Sequence, residues 1–137
     1  MTTQHDFGCG LADAHKHIYG GGWIADTAHV DDSAYVGPQA VVFGKARVFG
    51  EAAVCGEARV FGEAWVFGEA LVYDKAAVCG EARVYDKAVV CGKAVVFGEA
   101  RVFGEARVYD KAVVCGKAVV CGKAAKGQVQ LTKDPSP

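Results

Sequence analysis

The chain lacks net charge: 15 Lys and Arg stand against 16 Asp and Glu, a formal balance of −1. It also lacks any apolar run approaching the ~18 residues that a membrane span needs. The first absence removes any general attraction to nucleic acid or anionic lipid, and the second argues against a membrane helix. The opening MTTQHDFGCG has no basic stretch followed by an apolar one, so no secretory signal is read there. A cytoplasmic protein is the simplest expectation. Histidine is absent after His29, threonine is absent between positions 28 and 123, and no two cysteines stand in C-x-x-C spacing. The usual zinc-ligand spacing is therefore missing. At 137 residues, one domain with short flanking segments is expected.

What the chain does contain is one six-residue unit, repeated sixteen times from Ala28 to Lys123. It begins AHVDDS, AYVGPQ, AVVFGK, ARVFGE, AAVCGE and ends AVVCGK. The first position is Ala and the third Val throughout. From Phe43 onward the fourth is Phe, Tyr or Cys, the fifth Gly or Asp, and the sixth Glu or Lys. So strict a short period is the signature of a repeat architecture. Alternation of Ala-x-Val-x puts Ala and Val on one face of a short strand, and positions two and four on the other. Gly or Asp then serves the corner, where unusual backbone angles are needed. Four strand residues and a two-residue corner are too short for a hairpin meander, and a period of six matches no helical face. The remaining solution is a β-solenoid, each strand parallel to its equivalent one coil on.

The run AVVFGKARVFGEAAVCGEARV resembles the hexapeptide-repeat proteins, and the resemblance covers about Trp23–Ala124. The lead-in GGGWIADTA also resembles bacterial and prophage proteins labelled hexapeptide transferases. The resemblance implies an all-β fold, a left-handed parallel β-helix of triangular section with three hexads per coil, hence a little over five coils. Residues 1–22 are then a lead or cap, 23–126 the solenoid, and 127–137 a last strand or tail. Within the lead, LADAHKHIYG reads as one or two helical turns ended by Gly20. A lid over the first coil is expected, since solenoids need a cap at an open end. Gln128–Thr132 is the expected last strand.

Three hexads per coil make residues eighteen apart neighbours. One outer face then carries Arg47 and Phe49, Trp65 and Phe67, Arg83 and Tyr85, Arg101 and Phe103, and Val119 and Cys121. A second carries Val41/Phe43, Arg59/Phe61, Ala77/Cys79, Val95/Phe97 and Val113/Cys115, and the third Ala53/Cys55, Leu71/Tyr73, Val89/Cys91 and Arg107/Tyr109. Such ladders can simply pack against themselves. An apolar exterior of this extent also marks contact surfaces. The face alternating Arg with aromatics is the candidate partner site, because those residue types dominate binding hot spots. The resembled family implies a homo-oligomer, a threefold trimer being favoured. Stacked rings and Arg planes also suit nucleic-acid bases, but Glu51, Glu69 and Glu105 flank the face and would repel phosphates.

Five cysteines (Cys55, Cys79, Cys91, Cys115, Cys121) occupy the fourth position, and none has another Cys eighteen residues away. Cys55 and Cys91 stand two coils apart, about 9.6 Å by strand spacing, too far for a disulfide. Free thiols are expected. No catalytic residue, metal or cofactor is assigned. The γ-class carbonic anhydrases, which share the resembled scaffold, hold zinc with three histidines, and this repeat has only His29. Ice-binding solenoids of that class show outward Thr ranks, which are missing here. Hexapeptide acyltransferases need a catalytic His near a subunit boundary and commonly an extruded loop; His29 is present, but the repeat contains no insertion. The reading is a non-catalytic binding or assembly module, phage- or prophage-related by resemblance, with acyl transfer as the alternative.

Overall fold

A computed structural model describes the backbone of residues 3–6, 11–120 and 130–131, and the side chains of residues 13–120. Strands β1 (Thr3–Asp6) and β2 (Leu11–Lys16) pair antiparallel, and β2 runs antiparallel to β3 (Trp23–Ala25). A strand then recurs in every hexad. The first of these are β4 (His29–Val30), β5 (Tyr35–Val36), β6 (Val41–Val42), β7 (Arg47–Val48), β8 (Ala53–Val54) and β9 (Arg59–Val60). The middle coils supply β10 (Trp65–Val66), β11 (Leu71–Val72), β12 (Ala77–Val78), β13 (Arg83–Val84) and β14 (Val89–Val90). Then come β15 (Val95–Val96), β16 (Arg101–Val102), β17 (Arg107–Val108), β18 (Val113–Val114), β19 (Val119–Val120) and finally β20 (Gln130–Leu131). Among the described residues there is no helix, and so none long and apolar enough to cross a membrane.

These strands form three parallel-stacked sheets, the walls of a triangular β-solenoid of about five coils. One wall runs β3-β6-β9-β12-β15-β18-β20, with β2 and β1 added antiparallel at its start. The second runs β4-β7-β10-β13-β16-β19 and the third β5-β8-β11-β14-β17. The register is the eighteen-residue one expected: Trp65 lies opposite Arg47 on one side and Arg83 on the other.

Each hexad is tied to the next coil by a regular set of hydrogen bonds. The N–H of Val41 donates to Ala58 O at 3.1 Å, that of Phe43 to Val60 O at 3.0 Å, and that of Lys45 to Gly62 O at 2.7 Å. Inside, Ala and Val form the single core column, and those from Ala34 to Val114 have no exposed surface. A column of small side chains is what a narrow triangular section can hold at interior packing density.

The strands are two residues long, not four. The Ala46 N–H reaches back to Phe43 O at 3.4 Å, so the fourth position already belongs to the turn even though its own N–H stays in the ladder. At the fifth position the backbone turns left-handed, with φ near 70° at Gly62 and Gly68. Glycine takes this region without strain, and Asp is among the few other residues that enter it. Asp74, Asp86 and Asp110 do so here, at φ of 60°, 59° and 59°. Their carboxylates help: Asp74 Oδ2 accepts from Gly92 N–H at 3.2 Å, and Asp86 Oδ2 from Gly104 N–H at 3.2 Å. A Cβ built on Gly56 would stand 2.8 Å from Asp74 N, and one on Gly92 2.8 Å from Asp110 N. The closeness is a backbone property, since a Cβ on Gly44 would stand 2.9 Å from Gly62 N. Down the corner from Gly56 to Asp110, Asp and Gly alternate, and no Asp lies directly over another.

Helical turns were expected at LADAHKHIYG, and β2 replaces them. The edge of β3 offers unpaired backbone groups, and a strand satisfies them where an isolated short helix would not. Ala14 meets Ala25 across this pair, both buried against Trp23, Val41 and Phe43. The chain then turns over the first coil. His17 is buried with Nε2 donating to Ala34 O at 2.8 Å, and Val36 N–H donates to Tyr19 O at 3.1 Å. Ser33 supplies a hydroxyl to Gly50 O at 2.6 Å, and Thr27 does the same for Gly44 O. In later coils a sixth-position backbone N–H serves that carbonyl. At the other end β20 falls within the expected Gln128–Thr132 strand and pairs with β18. The expected tail beyond it, Cys9 and Cys121 lie outside the described residues.

Candidate protein-interaction face

All eight residues singled out from the sequence come together on the β7-β10-β13-β16 wall. Position two of each hexad gives Arg47, Trp65, Arg83 and Arg101; position four gives Phe49, Phe67, Tyr85 and Phe103. The four rings stack along the solenoid axis. Phe49 and Phe67 have centroids 4.8 Å apart at 2°, Phe67 and Tyr85 4.9 Å at 4°, and Tyr85 and Phe103 5.0 Å at 5°. The strand repeat of about 4.8 Å imposes this spacing. Stacking leaves the rings half-buried, so the exterior is less openly apolar than composition suggests; the exposed large apolar side chains of the hexads are Leu71, Phe97 and Val119.

Trp65 sits between two cations. The guanidinium carbon of Arg47 lies 5.7 Å from its ring centroid and that of Arg83 4.9 Å, one from each neighbouring coil. Both distances fall within cation–π range. Phe49 and Phe67 meet the same ring edge-on, at 6.0 and 6.3 Å. Sequence spacing placed these residues side by side, but the choice of Trp65 as the sandwiched ring is visible only in the geometry. Arg83 and Arg101 are direct neighbours in the ladder, a juxtaposition of like charges that favours an anionic group nearby. A shallow groove of about 310 Å³ runs beside Trp65, lined by Lys45, Arg47, Glu63, Trp65, Glu81 and Arg83.

At the first coil the same wall ends in His29 and Asp31. His29 Nε2 lies 2.9 Å from Asp31 Oδ1. Asp31 Oδ2 accepts from Gly50 N–H at 3.3 Å. The His29 hydrogen bond, followed by that of Gly50, holds the Asp31 carboxyl below the usual carboxylate range. His15 Nδ1 pairs with Asp26 Oδ1 at 2.9 Å.

Cys55, Cys79 and Cys91 are free thiols, as the spacing argument requires, and Cys115 is a buried thiol. Burial pushes the Cys79 thiol up; at Cys55 burial acts first and the Asp74 charge second. Both disfavour the nucleophilic thiolate. The hydrogen bond with Cys91 is the main cause that raises Tyr73, ahead of burial. Among the described residues no three His, Cys, Asp or Glu are grouped as metal ligands.

The walls, core and corner chemistry define a β-solenoid protein. A family model described as YdcK Beta solenoid repeat matches residues 100–116, about one coil. No curated protein and no solved structure matches the chain. The match supports the solenoid class and leaves the hexapeptide-transferase likeness as a resemblance of sequence alone.

Proposed function

We propose that this chain is a rigid, non-catalytic interaction module that grips a protein surface through the β7-β10-β13-β16 wall. The observation that carries the reading is Trp65 held between Arg47 and Arg83 beside a continuous four-ring stack. Aromatic and Arg side chains already fixed in place lose little freedom on binding, and they are the residue types on which interface energy concentrates. Neighbouring Arg83 and Arg101 favour a partner that brings carboxylates. Lys45, Glu63, Glu81 and Glu99 along one flank and Glu51, Glu69, Lys87 and Glu105 along the other leave the wall without the extended positive field that a phosphate backbone needs. The carboxylates favoured by the Arg pair are therefore a few local ones. Such a module suits the prophage setting implied by the resemblance.

The test is the double change Trp65→Glu with Phe67→Glu. Immobilised parent chain is expected to retain a defined set of proteins that the double variant loses, with an unchanged far-ultraviolet circular dichroism spectrum. Equal retention by a folded variant refutes the reading.

A second reading, acyl transfer, rests on one specific observation. His29 has an orienting carboxylate at Asp31, and it lines a groove with Thr27, Lys45 and Arg47 that offers cationic side chains to a phosphate-bearing carrier. His29 would act as general base. Titration with coenzyme A, with His29→Ala as control, decides it: no binding removes this alternative.

A further inference from the structure

The sixth position of the hexad, read along the corners, divides the solenoid by charge. The corner entering the β6-β9-β12-β15-β18 wall carries Lys75, Lys93 and Lys111 on successive coils. The corner leaving the same wall carries Glu63, Glu81 and Glu99 on its middle coils, with Lys45 before them and Lys117 after. All eight side chains are exposed. Among the described residues the ion pairs are His15 with Asp26 and His29 with Asp31, and neither involves these rails. Asp74 and Asp110 share the basic corner, but Asp74 turns to the Gly92 N–H of the next coil.

Between the rails the wall is apolar, with Arg59 as the charged residue on its outer face. Phe97 is its knob. Its stack neighbours are Cys79 and Cys115 rather than rings, and it is 38% exposed.

We propose that this wall pairs with the same wall of a second copy about a twofold axis parallel to the solenoid axis. Such a rotation exchanges the two edges of the wall at each level. Lys75 then faces Glu81 of the other copy, and Lys93 faces Glu99, on two adjacent central coils and twice over by symmetry. Position two faces position four, so Phe97 meets Val95 across the axis. Glu57 would face Glu63 one coil earlier, but Arg59 lies at that level and offsets them. Lys111 facing Lys117 is the unfavourable level, at the edge of the contact.

On the other two walls the same rotation makes complementary levels alternate with like-charged ones: Glu63 would face Glu69 in one, and Lys87 would face Lys93 in the other. A perpendicular twofold would lay the lysine rail on its own copy. Each wall has two complementary levels under this rotation, but only here do they stand on adjacent central coils, flanking Phe97. That adjacency favours this wall, and the like-charged rails of the perpendicular twofold favour this axis. The wall is about five strand spacings tall and one hexad wide, smaller than the ~800 Å² per partner of a standard interface. The dimer is expected to be weak and best measured at high protein concentration.

Sedimentation equilibrium over a wide concentration range tests this on the full chain. The parent is expected to form dimers that weaken about tenfold or more on raising salt from ~0.05 to ~0.5 M, because screening shortens with ionic strength. Lys75→Glu with Lys93→Glu is expected to be monomeric. Adding Glu81→Lys and Glu99→Lys to that variant is expected to restore the dimer. The fold should tolerate every change, since Glu and Lys already alternate at this position. A parent that stays monomeric, a trimer mass, or a folded fourfold variant that does not dimerise each overturns the proposal. The pairing is independent of the Trp65 wall: Trp65→Glu with Phe67→Glu is expected to leave the dimer intact, so each proposal can fail alone.

Discussion

Replacing Val66 by alanine removes two methyl groups from the middle of the core column, where Val66 has no exposed surface and stacks between Val48 and Val84. Transfer accounts for about 1.6 kcal/mol at roughly 0.8 per buried methyl. Both ladders are hydrogen-bonded on either side of Val66, so the walls have little room to close over the void. A residual cavity of roughly 40 Å³ adds about 1 kcal/mol. The expected loss is about 2–3 kcal/mol, a shift of about 1–2 M in a urea midpoint for a chain of this size. Val30→Ala is the matched control: the side chain is the same, but it stands half-buried at the end of the column. It should cost under about 1 kcal/mol. Urea titrations followed by circular dichroism measure both. Equal costs at the two positions would show that the column is not a close-packed core with an open end. Val66→Asp should leave no folded molecule, because an unpaired carboxylate would lie in a dry interior.

The corner at Asp86 separates backbone from side chain. Asp86→Ala loses the hydrogen bond to Gly104 and places alanine at φ 59°, so a loss of about 1–2 kcal/mol in urea unfolding is expected; Asp86→Gly relieves the backbone and should cost clearly less. For Asp31 the folded carboxyl is held below its unfolded value. Its contribution is therefore present above the unfolded pKa of ~3.9 and is lost as pH falls through the lower folded value. A thermal-denaturation series from pH 6 to 2 should show His29→Ala converging on the parent at the acid end, and a constant gap would contradict that linkage.

Most of the architecture was legible because each hexad repeats one local decision. Ala and Val at positions one and three could only face inward, and Trp65 opposite Arg47 and Arg83 followed from an eighteen-residue coil. The eight wall residues were located for the same reason. The irregular lead was harder. LADAHKHIYG has ordinary helix formers, and its strand state is set by the waiting edge of β3, a long-range partner that local spacing does not show. His17 carries no motif that announces its bond to Ala34 O. The charged rails were a different kind of omission. Their signal is present, since the sixth position read every eighteen residues spells them out, but it appears only when the corners are traced as columns.

Left-handed glycine and aspartate at the corners from Gly44 to Gly116 make those hexads hinges of the same shape, and this has a consequence for how such a chain can change. Loss of eighteen residues shortens the prism by one storey and leaves each remaining side chain on its own wall. Loss of six preserves every local turn, yet swings all that follows by a third of a revolution. Trp65 would still find an alanine–valine core beneath it, but the rings and charges beyond the break would look out on another side. Duplication errors in this sequence are therefore of two kinds, one that edits height and one that edits direction.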